Sequence, residues 1–291
     1  MDGLTTAPAE AGAGRTGAGR TGTGEAAPGS TGTEAARWTV RWNRVPAPRL
    51  RLFCLPHAGG GASVYRPWAP FLPPDVELVA VRLPGRESRF REPPLTRAGD
   101  VVTGLVGAVA PLLDRPHAWF GHSMGALLAF EVCRELRRRG LGEPARLLVS
   151  GRAAPDVPAG RPPVHDAPLP DLLARLRDLG GTPAEFLDPA VIAPLVPSIR
   201  ADFSVVETYR HRPGPPLECP VSVFGGDADA ETTAGDLRAW RRHTSAGCVV
   251  RTYGGGHFFL HDMPERVVPE IGRDLPVPRP ADAREANGRK Q

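Results

Sequence analysis

In Trp119-Phe120-Gly121-His122-Ser123-Met124-Gly125-Ala126 a serine stands between two glycines at the spacing Gly-x-Ser-x-Gly. An apolar, strand-like approach over Ala118 to Phe120 leads into it, and a long apolar run follows. In that setting the pattern predicts a strand, a sharp turn and a helix, with the serine hydroxyl raised at the turn. The glycines allow the tight turn and the close passage of strand and helix. A helix starting at Met124 would set free N–H groups and partial positive charge beside the serine, where an oxyanion could form. Five residues of this pattern alone also fit an ordinary Gly-rich turn; the flanking strand and helix separate the two readings.

A serine hydroxyl is a weak nucleophile at neutral pH and needs a base, whose tautomer an acid must fix. The chain has eight histidines. His257 follows Gly254-Gly255-Gly256 after the last apolar strand, where the chain order Ser, Asp, His puts the base. His57 and His122 belong to turns beside the serine and are expected to shape loops or touch substrate. His261 stands four residues after His257, a metal spacing on a helix, but the glycines argue for a loop and no third ligand is evident. No metal and no cofactor is therefore expected, and His117, His165, His211 and His243 are read as ordinary side chains.

Asp227 and Asp229 compete for the acid in Gly225-Gly226-Asp227-Ala228-Asp229. Asp229 is favoured, because Gly226-x-x-Asp229 lets the strand end and the chain turn before the carboxylate meets the histidine. Asp227 would then cap or brace the loop. Acyl transfer also needs donors for the tetrahedral oxyanion. One is the Met124 backbone N–H; the second comes from Pro56-His57-Ala58-Gly59-Gly60-Gly61, where Ala58 and Gly59 offer close backbone approach. A plain flexible turn is the competing reading of that loop.

The elements that must hold these residues read as alternating strands and helices. Trp38, Val40 and Trp42 alternate with polar residues, as in a half-exposed strand. Leu50 to Leu55 and Val76 to Leu83 read as inner strands, followed by a helix over about 97–113. The elbow strand and a helix from Met124 to Arg139 follow, stopped by Gly140; Leu147 to Ser150 is the next strand. From about 155 to 216 strand signal vanishes and prolines and two helical patches take over, the mark of an insertion folded over the strand ends as a lid. Strands return at Val221 to Phe224 and Val249 to Tyr253, with helices over about 231–242 and 264–275. The pattern predicts a mostly parallel sheet covered on both faces, with its site at the C-terminal strand ends.

Composition bounds the rest. The 291 residues, 41% of them hydrophobic, suffice for one sizeable core. Residues 1–36 are Gly, Ala, Thr, Pro and Ser for the most part, and with the polar tail 276–291 are expected to be disordered around a domain at 37–275. Gly12-x-Gly14-x-x-Gly17 matches a dinucleotide fingerprint only formally, since no strand precedes it. Cys54, Cys133, Cys219 and Cys248 lie far apart, so reduced thiols in a cytoplasmic protein are expected. No secretory h-region opens the chain, and the nearly apolar run Val101 to Leu113 is too short to span a bilayer. The net charge of +4 is carried by arginines, with Arg134, Arg137, Arg138 and Arg139 clustered. No nucleic-acid signature accompanies them, so they read as a solvated helix end or as a docking face for an acidic protein.

Several motifs in one order resemble the type II thioesterases that accompany modular polyketide synthases and nonribosomal peptide synthetases. They are Leu55-Pro56-His57-Ala58-Gly59-Gly60, Leu83-Pro84-Gly85-Arg86, Gly121-His122-Ser123-Met124-Gly125-Ala126, Ser150-Gly151-Arg152, Arg200-Ala201-Asp202, Glu207-Thr208-Tyr209 and Gly255-Gly256-His257-Phe258-Phe259-Leu260. The resemblance covers about 38–275. It implies an α/β-hydrolase fold, a mostly parallel sheet with helices on both faces and a helical lid. It implies hydrolysis of acyl thioesters from the phosphopantetheine arm of carrier proteins, clearing stalled or wrongly primed units. Ser123 would be nucleophile, His257 base and then acid, Asp229 the orienting carboxylate, and Ala58 and Met124 the oxyanion-hole amides. The partner implied is an acyl-loaded carrier domain, met by a monomer with no membrane or nucleic acid involved. Arginines 134–139 and Arg82, Arg86, Arg89 and Arg91 would have a purpose in docking it. The family often has Gly-Asp-Asp-Asp where this chain has Gly226-Asp227-Ala228-Asp229, and the long N-terminal stretch is a departure. Competing readings are a carboxylesterase on free small-molecule esters, a chain-terminating macrocyclase, and a non-catalytic carrier-binding protein.

Overall fold

The computed structural model describes residues 30–158 and 160–276. Most of the stretch expected to be disordered at the N-terminus, and nearly all of that at the C-terminus, lies outside these residues. Within the former, however, a helix α1 forms over Ser30–Trp38. Its Ala35 and Trp38 are buried against the body, and burial of such apolar area explains why order starts earlier than composition predicts. Trp38 therefore ends a helix, and only Thr39–Arg41 form the strand β1.

The remaining strands are β2 (Leu50–Leu55), β3 (Val76–Val81), β4 (His117–His122), β5 (Arg146–Ser150), β6 (Val221–Gly226) and β7 (Cys248–Tyr253). The main helices are α2 (Ala98–Val109), α3 (Met124–Arg138), α4 (Leu169–Leu179), α5 (Pro189–Ile192), α6 (Val196–Glu207), α7 (Ala234–Arg238), α8 (Phe259–Asp262) and α9 (Pro264–Asp274). They surround one seven-stranded sheet in the order β1-β3-β2-β4-β5-β6-β7. Only β1 runs antiparallel to its neighbour, β3; the other pairings are parallel. The chain lays β3 on one side of β2 and then crosses to lay β4 on the other. The strand ends of β2 and β4 therefore face the crevice where connections leave in opposite directions, the place where open α/β sheets bind ligands.

Side chains alternate across the sheet, so each inner strand feeds two cores. Phe53, Val79, Trp119 and Val149 face α2, α3 and α7. Leu52, Leu78, Phe120 and Leu148 face α9 and a 3₁₀ segment over Ala62–Phe71 that periodicity did not predict. Covering both faces is what makes β2, β3, β4 and β6 buried along their whole length.

Between β5 and β6 the insertion holds α4, α5 and α6 with an apolar cluster of its own, including Leu172, Leu176, Ile192, Ile199 and Phe203. The run Pro189–Glu207 has the length and composition of a membrane span. Here it is broken into α5, a 3₁₀ turn and α6, packs through that cluster and carries the buried Asp202.

Candidate active site

Ser123 links β4 to α3 with φ 54° and ψ −113°, one of two non-glycine residues with positive φ among those described. Such a conformation costs a residue with a side chain of the order of 1–3 kcal/mol and persists only when the surroundings impose it. They do so here by crowding. A Cβ on Gly121 would stand 2.0 Å from the Gly125 carbonyl oxygen, and one on Gly125 would stand 2.1 Å from that of Leu55. Strand, helix and β2 thus meet backbone to backbone, and Ser123 N–H donates to Ser150 O at 2.8 Å, tying the turn to β5.

The loop after β7 brings His257 to the same strand ends. Its Nδ1 lies 3.0 and 3.1 Å from the two carboxylate oxygens of Asp229. A carboxylate only accepts, so Nδ1 carries a proton and donates, which leaves Nε2 as the free base. Both side chains are sealed, at 4% and 0% exposure. Asp229 also accepts from the Glu231 N–H at 2.8 Å and from the Thr232 hydroxyl at 3.1 Å. Burial pushes its carboxyl up, but the hydrogen bonds from His257, Glu231 and Thr232 outweigh burial and hold it below the ordinary carboxylate value. Asp227 points elsewhere: its Oδ1 accepts from the Gly255 N–H at 2.9 Å and ties down the loop that carries His257.

Ser123, His257 and Asp229 line one cavity of about 610 Å³ with His57 and Ala58, closed from the insertion by Leu179, Phe203 and Val206. Among the described residues the Ser123 hydroxyl makes no hydrogen bond to His257; such bonds commonly tighten only when substrate arrives. The N–H groups of Ala58 and Met124 are likewise without acceptors among the described residues, as an oxyanion hole requires, whereas Gly59 N–H is engaged by Asp202.

Three further histidines surround His257. His122 packs with its ring centroid 4.9 Å away. It is fully buried, bonded through Nδ1 to Ser150 Oγ at 3.1 Å, with no partner for Nε2 among the described residues. Burial drives its pKa well below the ordinary value, and that of His57 down to about 3. His122 therefore shapes the site from beneath rather than reaching the cavity, while His57 lines it. His261 stands 5.4 Å from His57, ring to ring. No cluster of three or more His, Cys, Asp or Glu suited to a metal occurs among the described residues.

Sequence reasoning gave no role to Glu231, Thr232, Asp202 or Gly151. Thr232 lies three residues beyond Asp229, a local spacing that can be read; Asp202 lies 143 residues from the Gly59 amide it accepts from, and only folding brings them together. Gly151 has φ +58°, and a Cβ there would stand 2.5 Å from His122 and 3.3 Å from His257. Of the arginines considered for docking, Arg86 is buried on Asp202 and Arg89 on Glu92 beneath the Trp38 ring. Arg82 donates to Ala36 and Arg37 carbonyls, and Arg134, Arg137, Arg138 and Arg139 pair with Glu131, Glu143 and Glu135. These guanidinium groups thus have partners within the chain, although Arg138 stays 70% exposed, and Arg91 is exposed with no ion pair among the described residues. Arg97 and Arg212 border a separate groove of about 780 Å³ near the end of α6 and are exposed.

The thioesterase domain family matches residues 50–275. Over 244 residues the chain is 41% identical to the gramicidin S biosynthesis protein GrsT of Aneurinibacillus migulanus, covering 84% of this chain and 95% of that one. It is 39% identical over 254 residues to the thioesterase PikA5 of Streptomyces venezuelae, covering 86% and 90%. The structure of the type II thioesterase BorB, from the borrelidin biosynthetic cluster, superimposes with a TM-score of 0.76 at 37% identity, covering 82% of this chain and 98% of that one.

Proposed function

This chain belongs to the thioesterase family, and on that premise we infer that it is a type II thioesterase, a serine hydrolase releasing acyl groups from the phosphopantetheine arm of carrier proteins. The observation that carries the reading is the sealed Asp229–His257 pair sharing one cavity with the strained Ser123. Ser123 Oγ attacks the thioester carbonyl as His257 Nε2 takes its proton. The tetrahedral oxyanion accepts from the N–H groups of Ala58 and Met124. Collapse breaks the C–S bond and expels the arm's thiol, whose ordinary pKa of about 8.5 makes it a better leaving group than an amine. The imidazolium returns the proton to the sulfur. Water, deprotonated by His257, then cleaves the acyl-serine ester to free acid, and Ser123 is restored.

The insertion between β5 and β6 supports the same reading. Its Phe203, Val206 and Leu179 give the cavity an apolar wall for an acyl chain, and Asp229 keeps the base in one tautomer. Relatives named for gramicidin S and borrelidin biosynthesis support a role in clearing aberrant acyl units from polyketide or nonribosomal peptide machinery. The test is intact-mass turnover of a panel of acyl-loaded carrier proteins, with oxygen esters of the same acyl groups alongside. Thioester turnover well above ester turnover, an acyl mass shift on Ser123, and loss of both in Ser123→Ala are expected. Faster turnover of free esters would favour a carboxylesterase, and unimpaired turnover by Ser123→Ala would overturn the mechanism.

A further inference from the structure

The loop after β2 is held from two other segments and by its own His57. Gly59 N–H donates to Asp202 Oδ2 at 2.7 Å. His57 Nδ1 lies 2.9 Å from the Ala58 carbonyl oxygen, which can only accept, so the imidazole donates there. One planar peptide unit, that joining Ala58 to Gly59, is thereby gripped at both its N–H and its C=O. The N–H of the unit before it, Ala58 N–H, has no acceptor among the described residues. With that plane held at both ends, only φ and ψ of Ala58 are left to turn the neighbouring N–H, so the directions it can point are narrowed.

Asp202 comes from α6, in the insertion, and is 2% exposed. Arg86 meets it with two bonds, Nη1 to Oδ2 and Nη2 to Oδ1, each 2.7 Å. The same Nη1 donates to the Gly60 carbonyl at 2.7 Å. Arg86 thus orients the carboxylate and steadies the next residue of the loop. A buried ion pair is weak grounds for stability alone, since desolvation offsets much of the attraction. Its bond to a loop amide adjacent to a free N–H in the cavity needs another explanation.

We propose that Asp202, oriented by Arg86, is a positioning residue for the oxyanion hole: it locks the Ala58–Gly59 peptide so that Ala58 N–H meets the developing oxyanion. The seating of α6 on the body then becomes a condition for a formed hole, and lid and hole act as one unit. The proposal rests on Ser123 as nucleophile.

The experiment uses the full chain with Asp202→Ala, which leaves Gly59 N–H without the acceptor that an asparagine oxygen would still supply. It reads kcat per active serine, counted with a fluorophosphonate, together with KM and affinity for an alkylboronic acid that forms a tetrahedral serine adduct. Loss of one whole oxyanion donor costs ~100- to 1000-fold in kcat, so misaiming one should cost about 10- to 100-fold. Boronate affinity should fall in parallel, while KM stays within about threefold. Arg51→Lys is the control: it disturbs the buried Arg51–Glu77 pair at the opposite strand ends and should lower stability without changing kcat per serine. If Asp202→Ala does not fold, Arg86→Gln with Asp202→Ala removes both buried charges together and carries the same readouts. Wild-type kcat per serine and wild-type boronate affinity in either folded variant would overturn the proposal. Boronate binding that survives Ser123→Ala would instead overturn the nucleophile assignment.

Discussion

Asp229→Asn against Asp227→Asn separates the two acids most sharply. Asp229 accepts four bonds, from His257 Nδ1 on both oxygens, from Glu231 N–H and from Thr232 Oγ1. An asparagine keeps one acceptor oxygen. If that oxygen stays on the Glu231 amide, the new NH₂ takes the Oδ2 position 3.0 Å from Nδ1, where donor meets donor, and the remaining oxygen, 3.1 Å from Nδ1, is shared with the Glu231 N–H. His257 relieves the clash by moving its proton to Nε2, which removes the lone pair that must take the serine proton. A wrong tautomer of this kind costs ~10⁴-fold in kcat with the geometry otherwise intact. That is a loss of about 5.5 kcal/mol of transition-state stabilisation. The Asp227 side chain instead holds the Gly255 N–H; its asparagine replacement would keep an oxygen for that donor, and His257 would not sense the change. Its kcat should stay within about threefold. The assay is steady-state hydrolysis of a small acyl thioester, normalised to titrated serine, with thermal melts to show that both variants fold. Equal losses in the two variants, or an Asp229→Asn enzyme retaining more than about a tenth of wild-type kcat, would refute the tautomer argument.

Acid sensitivity and docking provide further tests. Burial lowers the pKa of His57 to about 3 and of His117 to about 4, and takes His122 well below 6.5. The unfolded chain binds these protons near pH 6.5 and the folded chain does not, so stability falls as pH drops below 6.5, by up to ~1.4 kcal/mol per pH unit for each histidine. Urea midpoints should decline from pH 7.5 to 5.5, and His117→Asn should flatten the slope by one histidine's share; a flat wild-type profile would contradict the burial. Glu92 and Glu135, lowered to about 2 by their arginine partners, add losses only below pH 4.5. For the carrier partner, Arg97→Glu with Arg212→Glu should raise KM for carrier-bound acyl groups several-fold, roughly as rim charges do elsewhere, and leave small thioesters unchanged. Equal loss on both substrates would remove that groove from consideration as a docking face.

The sequence alone determined the elbow, because Gly121-x-Ser123-x-Gly125 between an apolar strand and an apolar helix is a local pattern with a local steric cause. It also determined the parallel sheet and the order of the loops at its C-terminal ends, since those follow from alternating periodicities. It narrowed the acid to two aspartates but could not choose from contact. Tertiary structure decided that, placing Asp229 on His257 and Asp227 on Gly255 N–H. It also decided the fate of Arg86, Arg89 and Asp202, and the order of α1. Composition marks an arginine as charged and a Gly/Thr-rich segment as poor in apolar residues. Whether a guanidinium meets solvent or a carboxylate more than a hundred residues away, and whether one tryptophan finds a core, depends on which surfaces the finished fold sets side by side.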